Sequence, residues 1–169
     1  MKTLVISAFA GVGKSYTVNN EKDKFNGILD SDSSDFSWIK DNNGKNTTEK
    51  NPDFPNNYIQ HIKENIGKVE VIFVSCHKEV RKALEEAGIH YILVYPNVFQ
   101  KEDYIKRYKN RGNTNKFIDL LNSQWETWIT ECEEETYPIK IKLPYFSLKY
   151  LNKEVIDLIN IMEGDHYEN

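Results

Sequence analysis

A short glycine-containing segment near the start of the chain constrains the fold more than any other feature. The apolar residues 4–7 lead into residues 8–15, whose sequence is AFAGVGKS, and a helical pattern begins at Lys14. Two glycines allow the backbone to wrap around an oxyanion so that successive N–H groups point at it. The start of a helix adds partial positive charge at the same place. The segment therefore predicts a phosphate-binding loop between a strand and a helix.

The residues of this loop match the chemistry of a nucleoside triphosphate. Their spacing is that of the Walker A motif, G-x-x-x-x-G-K-[ST], with Ala8 at the position of the first glycine. The Lys14 ammonium can reach the β- and γ-phosphates, and the Ser15 hydroxyl can bind Mg²⁺. We therefore expect ATP and Mg²⁺ as cofactors, against the alternative of a chance glycine-rich turn. The expected cofactor-binding residues are Gly11, Val12, Gly13, Lys14, Ser15 and Tyr16.

The rest of the chain alternates predicted strands with predicted helices. Further strands are predicted at 27–30, 69–75, 91–95 and 139–143, and helices at 55–66, 78–87, 101–110, 116–133 and 148–162. This alternation implies right-handed crossovers between parallel strands. We predict an α/β fold of three layers, in which a parallel sheet of about five strands has helices on both faces. A single domain is expected over residues 1–169.

Acidic residues follow the second predicted strand, in the sequence LDSDSSD at residues 29–35. Ligands of open parallel sheets bind at the carboxyl ends of the strands. We predict that Asp30 lies in the Mg²⁺ shell beside Ser15, and that Asp32 contacts the acceptor and takes its proton. The sequence leaves open whether Asp32 rather than Asp30 is the acid on the metal side. The alternative to both roles is that the Asp and Ser residues only cap a loop. Asp35 is a further candidate for substrate binding.

Residues 73–77 at the end of the third predicted strand, FVSCH, contain neither Asp nor Glu. ATPase motors and GTPases usually carry an acid there for Mg²⁺, so its absence favours small kinases. His77 and Arg81 come next and are candidates for binding the acceptor. The aromatic residues Phe36, Trp38, Phe54 and Tyr58 are candidates for stacking on an acceptor base, with packing inside the segment as the alternative. This segment, at about 31–66, is the predicted acceptor-binding insertion.

Two arginines lie four residues apart in a strongly basic predicted helix. Arg107 and Arg111 would project from one helical face, and Gly112 would end the helix. Two guanidinium groups on one face suit a triphosphate, whose charge must be stabilised during transfer. We therefore predict a lid at about 104–116 and a catalytic set of Lys14, Asp32, Arg107 and Arg111. A solvated basic helix is the alternative.

These motifs together resemble those of P-loop kinases of the nucleoside monophosphate kinase group. The resemblance rests on the loop at 8–15, the order of strands and helices, and the arginine pair. The turn at 30–32 also looks like the acid–Ser–acid turn of shikimate kinases. The segment 106–121 is similar to the lid of phage-type polynucleotide kinases. The resemblance implies a three-layer P-loop NTPase fold and a MgATP-dependent kinase with a lid and an acceptor-binding insertion.

Composition restricts the partners. The formal net charge of −4 argues against a protein that coats nucleic acid, although it leaves room for a nucleic-acid end as substrate. No apolar run approaches the length of a membrane span, so we expect no membrane partner and a cytoplasmic location. Cys76 and Cys132 lie far apart in the sequence and are expected to be free thiols. The sequence leaves open whether the protein forms a homodimer.

Two classes of function are consistent with these features. The first is a phosphotransferase, with a nucleotide or deoxynucleotide monophosphate as the favoured acceptor. A polynucleotide 5′-kinase or another small-molecule kinase is the alternative within this class. The second class is a module that binds a nucleotide as a switch, without catalysis. The arginine pair and the acidic turn favour the first class, because a switch requires neither.

Overall fold

The computed structural model describes residues 1–144 and 151–167. In chain order its strands are β1 (Leu4–Ala8), β2 (Ile28–Asp30), β3 (Trp38–Lys40), β4 (Asn46–Lys50), β5 (Val71–Ser75), β6 (Ile92–Pro96) and β7 (Ile139–Leu143). Its helices are α1 (Lys14–Glu21), α2 (Ser34–Ser37), α3 (Asn56–Asn65), α4 (Lys78–Glu86), α5 (Lys101–Asn110), α6 (Asn115–Glu134) and α7 (Lys153–Tyr167). Short 3₁₀ turns lie at Lys22–Lys24 and Val98–Gln100.

The central sheet has five parallel strands in the order β2-β5-β1-β6-β7, and helices flank it. Register places Ala8 of β1 beside Ser75 of β5 and Val94 of β6, so their carboxyl ends meet at one edge. The chain passes from β5 over β1 to β6, and ligands of such sheets bind where the strand order reverses. The predicted sheet of about five parallel strands is confirmed.

Burial explains why these segments form strands. Every residue of β1, β5 and β6 is buried, as expected for strands covered by helices on both faces. In α4 the apolar positions Val80, Ala83 and Leu84 are buried, which is the spacing of one helical face. The Thr114 hydroxyl accepts a hydrogen bond from the Phe117 N–H and so caps the start of α6.

The segment between β2 and β5 holds two elements that its polar composition does not predict, the short helix α2 and the antiparallel hairpin β3–β4. Helix α3 follows them, where the sequence predicts a helix at 55–66. In the hairpin Trp38 lies directly opposite Lys50. The C-terminal helix also differs from its prediction, because it runs from Lys153 to Tyr167 rather than over 148–162. Residues 148–150 of that prediction lie outside the described residues.

A buried tyrosine ties this segment to the central sheet. The Tyr58 side chain is fully buried, and its hydroxyl donates to the Ser31 carbonyl at 2.6 Å. The same oxygen accepts a hydrogen bond from the Ser75 N–H at 3.2 Å. One phenol therefore satisfies two backbone groups, one after β2 and one at the end of β5. Burial raises the pKa of Tyr58, so the hydroxyl stays neutral at physiological pH.

Replacing Tyr58 with Phe should destabilise the fold, because it leaves a buried carbonyl and a buried N–H without their shared partner. We expect the free energy of unfolding, measured by urea denaturation, to fall by about 1–3 kcal/mol. Tyr91→Phe is a matched control, since the buried Tyr91 hydroxyl has no hydrogen-bond partner among the described residues. This control should be near neutral. Equal losses in the two variants would contradict the tethering role of Tyr58.

Candidate active site

The phosphate loop joins β1 to α1 through two glycines of positive φ. Gly11 has a φ of 86° and Gly13 a φ of 112°, values that residues with a side chain rarely adopt. The Lys14 ammonium folds back over the loop and donates to the Ala8 carbonyl at 3.0 Å. No side chain caps the start of α1, so its first N–H groups can receive an anion.

Helix α5 packs directly on this loop. A Cβ atom at Gly11 would lie 3.1 Å from both Cδ1 of Tyr104 and the hydroxyl oxygen of Tyr108. The Arg107 guanidinium donates to the Gly11 carbonyl at 3.0 Å and lies over the Tyr104 ring, 4.6 Å from its centroid. The predicted lid helix therefore contacts the loop that it was expected to cover.

A hydroxyl and a carboxylate meet beside the loop. The Ser15 hydroxyl donates to Oδ2 of Asp30 at 3.1 Å, which joins the start of α1 to the end of β2. Both are oxygen ligands of the kind that Mg²⁺ takes, with water and phosphate oxygens completing its shell. The pair is therefore compatible with the metal position predicted from the sequence.

The Lys14 ammonium lies among charged groups of both signs. Burial lowers the pKa of Lys14, and the nearby carboxylates of Asp30 and Asp32 act in the opposite direction. The positive charge of Arg111 lowers this pKa further. A buried ammonium is best stabilised by a close anion, so the charges here favour a polyphosphate beside Lys14.

A cavity of about 310 Å³ has Asp32 in its lining, and the charge of Asp32 also acts on the pKa of Lys14 in the loop. This volume is at the lower end of the roughly 300–1,000 Å³ typical of small-molecule sites. The acidic turn, the hairpin and the start of α4 form its walls. The lining residues are Asp32, Ser33, Ser34, Ser37, Trp38, Lys50, Asn51, Phe54, His77 and Glu79. The lining thus combines hydroxyl, amide and carboxylate groups with two aromatic rings. This combination suits a polar molecule with a flat face.

No protein-family model matches the chain, and no curated protein matches its sequence. The structure is similar to that of a gluconokinase from Sinorhizobium meliloti 1021, with a TM-score of 0.55 over 99% of this chain and 97% of that chain. The chain has the three-layer α/β P-loop fold. The two sequences are only 17% identical, so the likeness shows the fold alone. What this P-loop protein does must be argued from its site.

The structure brings four of the predicted acceptor-side residues to the cavity. These residues are Asp32, Trp38, Phe54 and His77, and Oδ1 of Asp32 accepts a hydrogen bond from the Ser34 N–H at 2.9 Å. Asp35 does not line it. The Asp35 carboxylate is exposed and pairs with the Lys40 ammonium at 3.3 Å. Asp30 thus binds Ser15 and Asp32 lines the cavity, whereas Asp35, exposed like Asp32, does neither.

Tyr58 and Arg81, both predicted to bind the acceptor, have structural positions instead. The Tyr58 ring is buried and its hydroxyl is engaged by Ser31 and Ser75, so no base can stack on it here. The Arg81 side chain is only 2% exposed, and Nε donates to the Glu135 carboxylate at 2.6 Å. Neither residue lines the cavity. Tyr58 lies on α3 and Arg81 on α4, and a polar side chain on a helix can face the core as well as a cleft.

Arg111 and Tyr16 lie at the outer rim of the loop. Arg111 is exposed at the C-terminal end of α5, and its positive charge lowers the pKa of Lys14. Tyr16 is 46% exposed in the first turn of α1, directly after Ser15. Both positions are compatible with contact to a bound nucleotide.

Sequence reasoning missed several residues of the cavity. The additional lining residues are Ser33, Ser34, Ser37, Lys50, Asn51 and Glu79. The register of the hairpin places Lys50 opposite Trp38 and so at the cavity. A polar hairpin has no hydrophobic alternation from which to read that register.

The described ranges contain neither a membrane-spanning helix nor a cluster of metal-binding side chains. Within residues 1–144 and 151–167, no helix has the length and apolar character needed to cross a membrane. No group of three or more His, Cys, Asp or Glu side chains in the same ranges could hold a metal. A Mg²⁺ ion beside Ser15 and Asp30 would therefore depend on phosphate oxygens and water for the rest of its shell.

Gly11→Ala should destabilise the protein more than Gly44→Ala. Both glycines have positive φ, so each alanine carries the cost of a left-handed backbone, about 1–2 kcal/mol. At Gly11 the new methyl group would also press on Tyr104 and Tyr108, which adds about 1–3 kcal/mol, whereas nothing lies within 4 Å at Gly44. Thermal or urea unfolding measures the difference. Equal losses would show that α5 does not press on the loop.

Proposed function

We propose that this P-loop protein is a kinase that transfers the γ-phosphoryl group of ATP, with Mg²⁺, to a small molecule held in the cavity. Three observations support the proposal. The loop has the glycines and the lysine that polyphosphate binding requires. Ser15 and Asp30 form an oxygen pair suited to Mg²⁺. Asp32 is common to the cavity wall and to the surroundings of Lys14, which links the cavity to the loop.

The side chains of the loop would hold the triphosphate. Lys14 would exchange its contact with the Ala8 carbonyl for the β- and γ-phosphates, which a buried ammonium binds strongly. Arg107, already against Gly11, and Arg111 would stabilise charge on the transferring group. Bound Mg²⁺ would neutralise the phosphate oxygens. The chain's contribution is thus to fix the phosphates and to place positive charge around them.

The Asp32 carboxylate is the observation that favours a hydroxyl group as the acceptor. An alcohol is a poor nucleophile until a base takes its proton, and a carboxylate at the acceptor end can do so. A phosphate acceptor has a second pKa near 6 and is already ionised at pH 7, so it needs no base. A carboxylate beside it would repel it. We therefore infer that the acceptor is an alcohol.

The charges of the cavity wall agree with an uncharged acceptor. Asp32 and Glu79 contribute two carboxylates, against one ammonium from Lys50. Trp38 and Phe54 offer flat apolar faces that can pack on a base or a sugar ring. A nucleoside, which combines hydroxyl groups with a flat base, is the first candidate. A nucleoside monophosphate is the second, because Lys50 could bind its phosphate and the aromatic rings its base.

An assay of ADP release with MgATP should identify the acceptor class. The panel is nucleosides, nucleoside monophosphates, sugar-like and shikimate-like alcohols, and DNA with a 5′-hydroxyl end. We expect turnover with an alcohol, nucleosides being the best. Turnover with monophosphates alone would support the second candidate. ATP binding without turnover on any acceptor would support a non-catalytic switch and overturn the proposal.

Asp32→Asn should lower kcat for an alcohol acceptor by about a hundredfold or more, because it removes the base and keeps the shape. The affinity for ATP, measured by calorimetry, should change little. Asp35→Asn is the comparison variant, since its carboxylate points to solvent beside Lys40 and should leave kcat unchanged. If both variants retain full kcat, Asp32 is not the base.

Replacing Arg107 or Arg111 with Lys should depress kcat by about tenfold or more, roughly 1.4 kcal/mol. Lysine keeps the charge but lacks the planar fork of arginine. The dissociation constant of ATP should change less than kcat, since an interaction formed during transfer lowers the barrier more than it tightens binding. Collapse of ATP affinity with kcat preserved would instead show a binding clamp. Absence of any effect would show a solvated basic helix.

A further inference from the structure

Two cysteines distant in the sequence lie side by side in the fold. Cys76 directly follows β5, and Cys132 lies in α6, 56 residues later. Their Sγ atoms are 3.8 Å apart, and both are free thiols. A disulfide has an S–S distance of about 2.0 Å, so small side-chain movements would bring the two sulfurs to bonding distance. The pair lies outside the lining of the cavity.

Arg81 holds the elements that carry the two thiols. Its Nη1 donates to the Cys76 carbonyl at 2.6 Å and lies 3.9 Å from the Cys76 sulfur. Its Nε binds the carboxylate of Glu135, just beyond the end of α6. One guanidinium group therefore joins the loop after β5, helix α4 and the end of α6. The two thiols are kept adjacent by this ion pair.

We propose that Cys76 is a thiol-modification site that reacts with hydroperoxides and then closes a disulfide with Cys132. In the first step the Cys76 thiolate attacks the terminal oxygen of the peroxide, the O–O bond breaks, and hydroxide or an alkoxide leaves. The sulfur becomes a sulfenic acid and the peroxide is reduced. In the second step the Cys132 sulfur attacks that sulfur, and the sulfenic oxygen leaves as water with the Cys132 proton.

The surroundings favour Cys76 as the attacking thiol and Cys132 as the resolving thiol. The hydrogen bond with Cys132 lowers the pKa of Cys76, burial acts in the opposite direction, and the positive charges of Arg81 and Lys14 keep the pKa below its usual value. The same hydrogen bond raises the pKa of Cys132, and burial adds to this. Cys76 is half-buried, whereas Cys132 is 1% exposed. Reactive thiols have this combination of access and nearby positive charge.

The location also gives the modification a route to the cavity. Ser75, before Cys76, accepts a hydrogen bond from the Ser33 N–H at 3.0 Å, and His77, after it, lines the cavity. A shift of the Cys76 backbone towards Cys132 would therefore move Ser75, which supports the acidic turn, and His77, which lines the cavity. The proposal itself does not rest on kinase activity, because the modification is measured on the thiols.

The test treats the reduced, folded protein with equimolar hydrogen peroxide and then counts thiols by titration in denaturant. We expect two thiols before treatment and none after it, with the monomer losing two hydrogens in mass. Peptide mass spectrometry should find Cys76 joined to Cys132 in the same chain, and dithiothreitol should restore both thiols. Retention of both thiols, or linkage only between different chains, would overturn the proposal.

Matched variants separate the two roles. In Cys132→Ser, Cys76 should form a sulfenic acid that dimedone traps, because no resolving thiol remains. In Cys76→Ser, the buried Cys132 should stay reduced in the folded protein. Cys132→Ala replaces the first variant if the buried serine hydroxyl prevents folding. Equal oxidation of the single thiol in the two kinds of variant would contradict the assignment of Cys76 as the attacking group.

Discussion

The contact between α5 and the phosphate loop is the constraint on which the rest of the site depends. The backbone at Gly11 approaches the Tyr104 and Tyr108 side chains so closely that a single Cβ atom would fall within 3.1 Å of both. The same approach lets Arg107 bind the Gly11 carbonyl. Glycine therefore serves two purposes here: it permits positive φ, and it leaves room for a helix that carries positive charge.

A second set of contacts fixes the opposite side of the site. The Tyr58 hydroxyl joins the backbone of Ser31 to that of Ser75, and the Ser75 hydroxyl receives the N–H of Ser33. These bonds tie the acidic turn to the end of β5, so the position of Asp32 follows from the central sheet. Asp32, the proposed base, is thus anchored to the sheet even though it lies in a loop, as its proposed role in transfer would require.

The parts of the fold that follow strong local rules could be predicted from the sequence. The apolar run that becomes β5 and the glycine loop both constrain the backbone directly, and Ser15 and Asp30 meet as expected. The hairpin β3–β4 could not be predicted, because its polar strands lack alternation. The positions of Tyr58 and Arg81 could not be predicted either, since a side chain's direction depends on partners far away in sequence.

The position of Arg81 bears most directly on the choice of acceptor. The Arg81 guanidinium, which follows β5, could neutralise an acceptor phosphate only by leaving its own partners. Here its Nε is bound to Glu135 and its Nη1 to the Cys76 carbonyl, and the side chain is 2% exposed. Breaking a buried pair of this kind costs about 3–5 kcal/mol, because the abandoned charge loses its partner. A phosphate acceptor would have to compensate for that loss with Lys50 and His77 alone, next to two carboxylates. The proposed alcohol acceptor carries no such charge, so Arg81 can keep its partners. The Asp32 carboxylate, which would repel a phosphate, could instead take the proton of the alcohol.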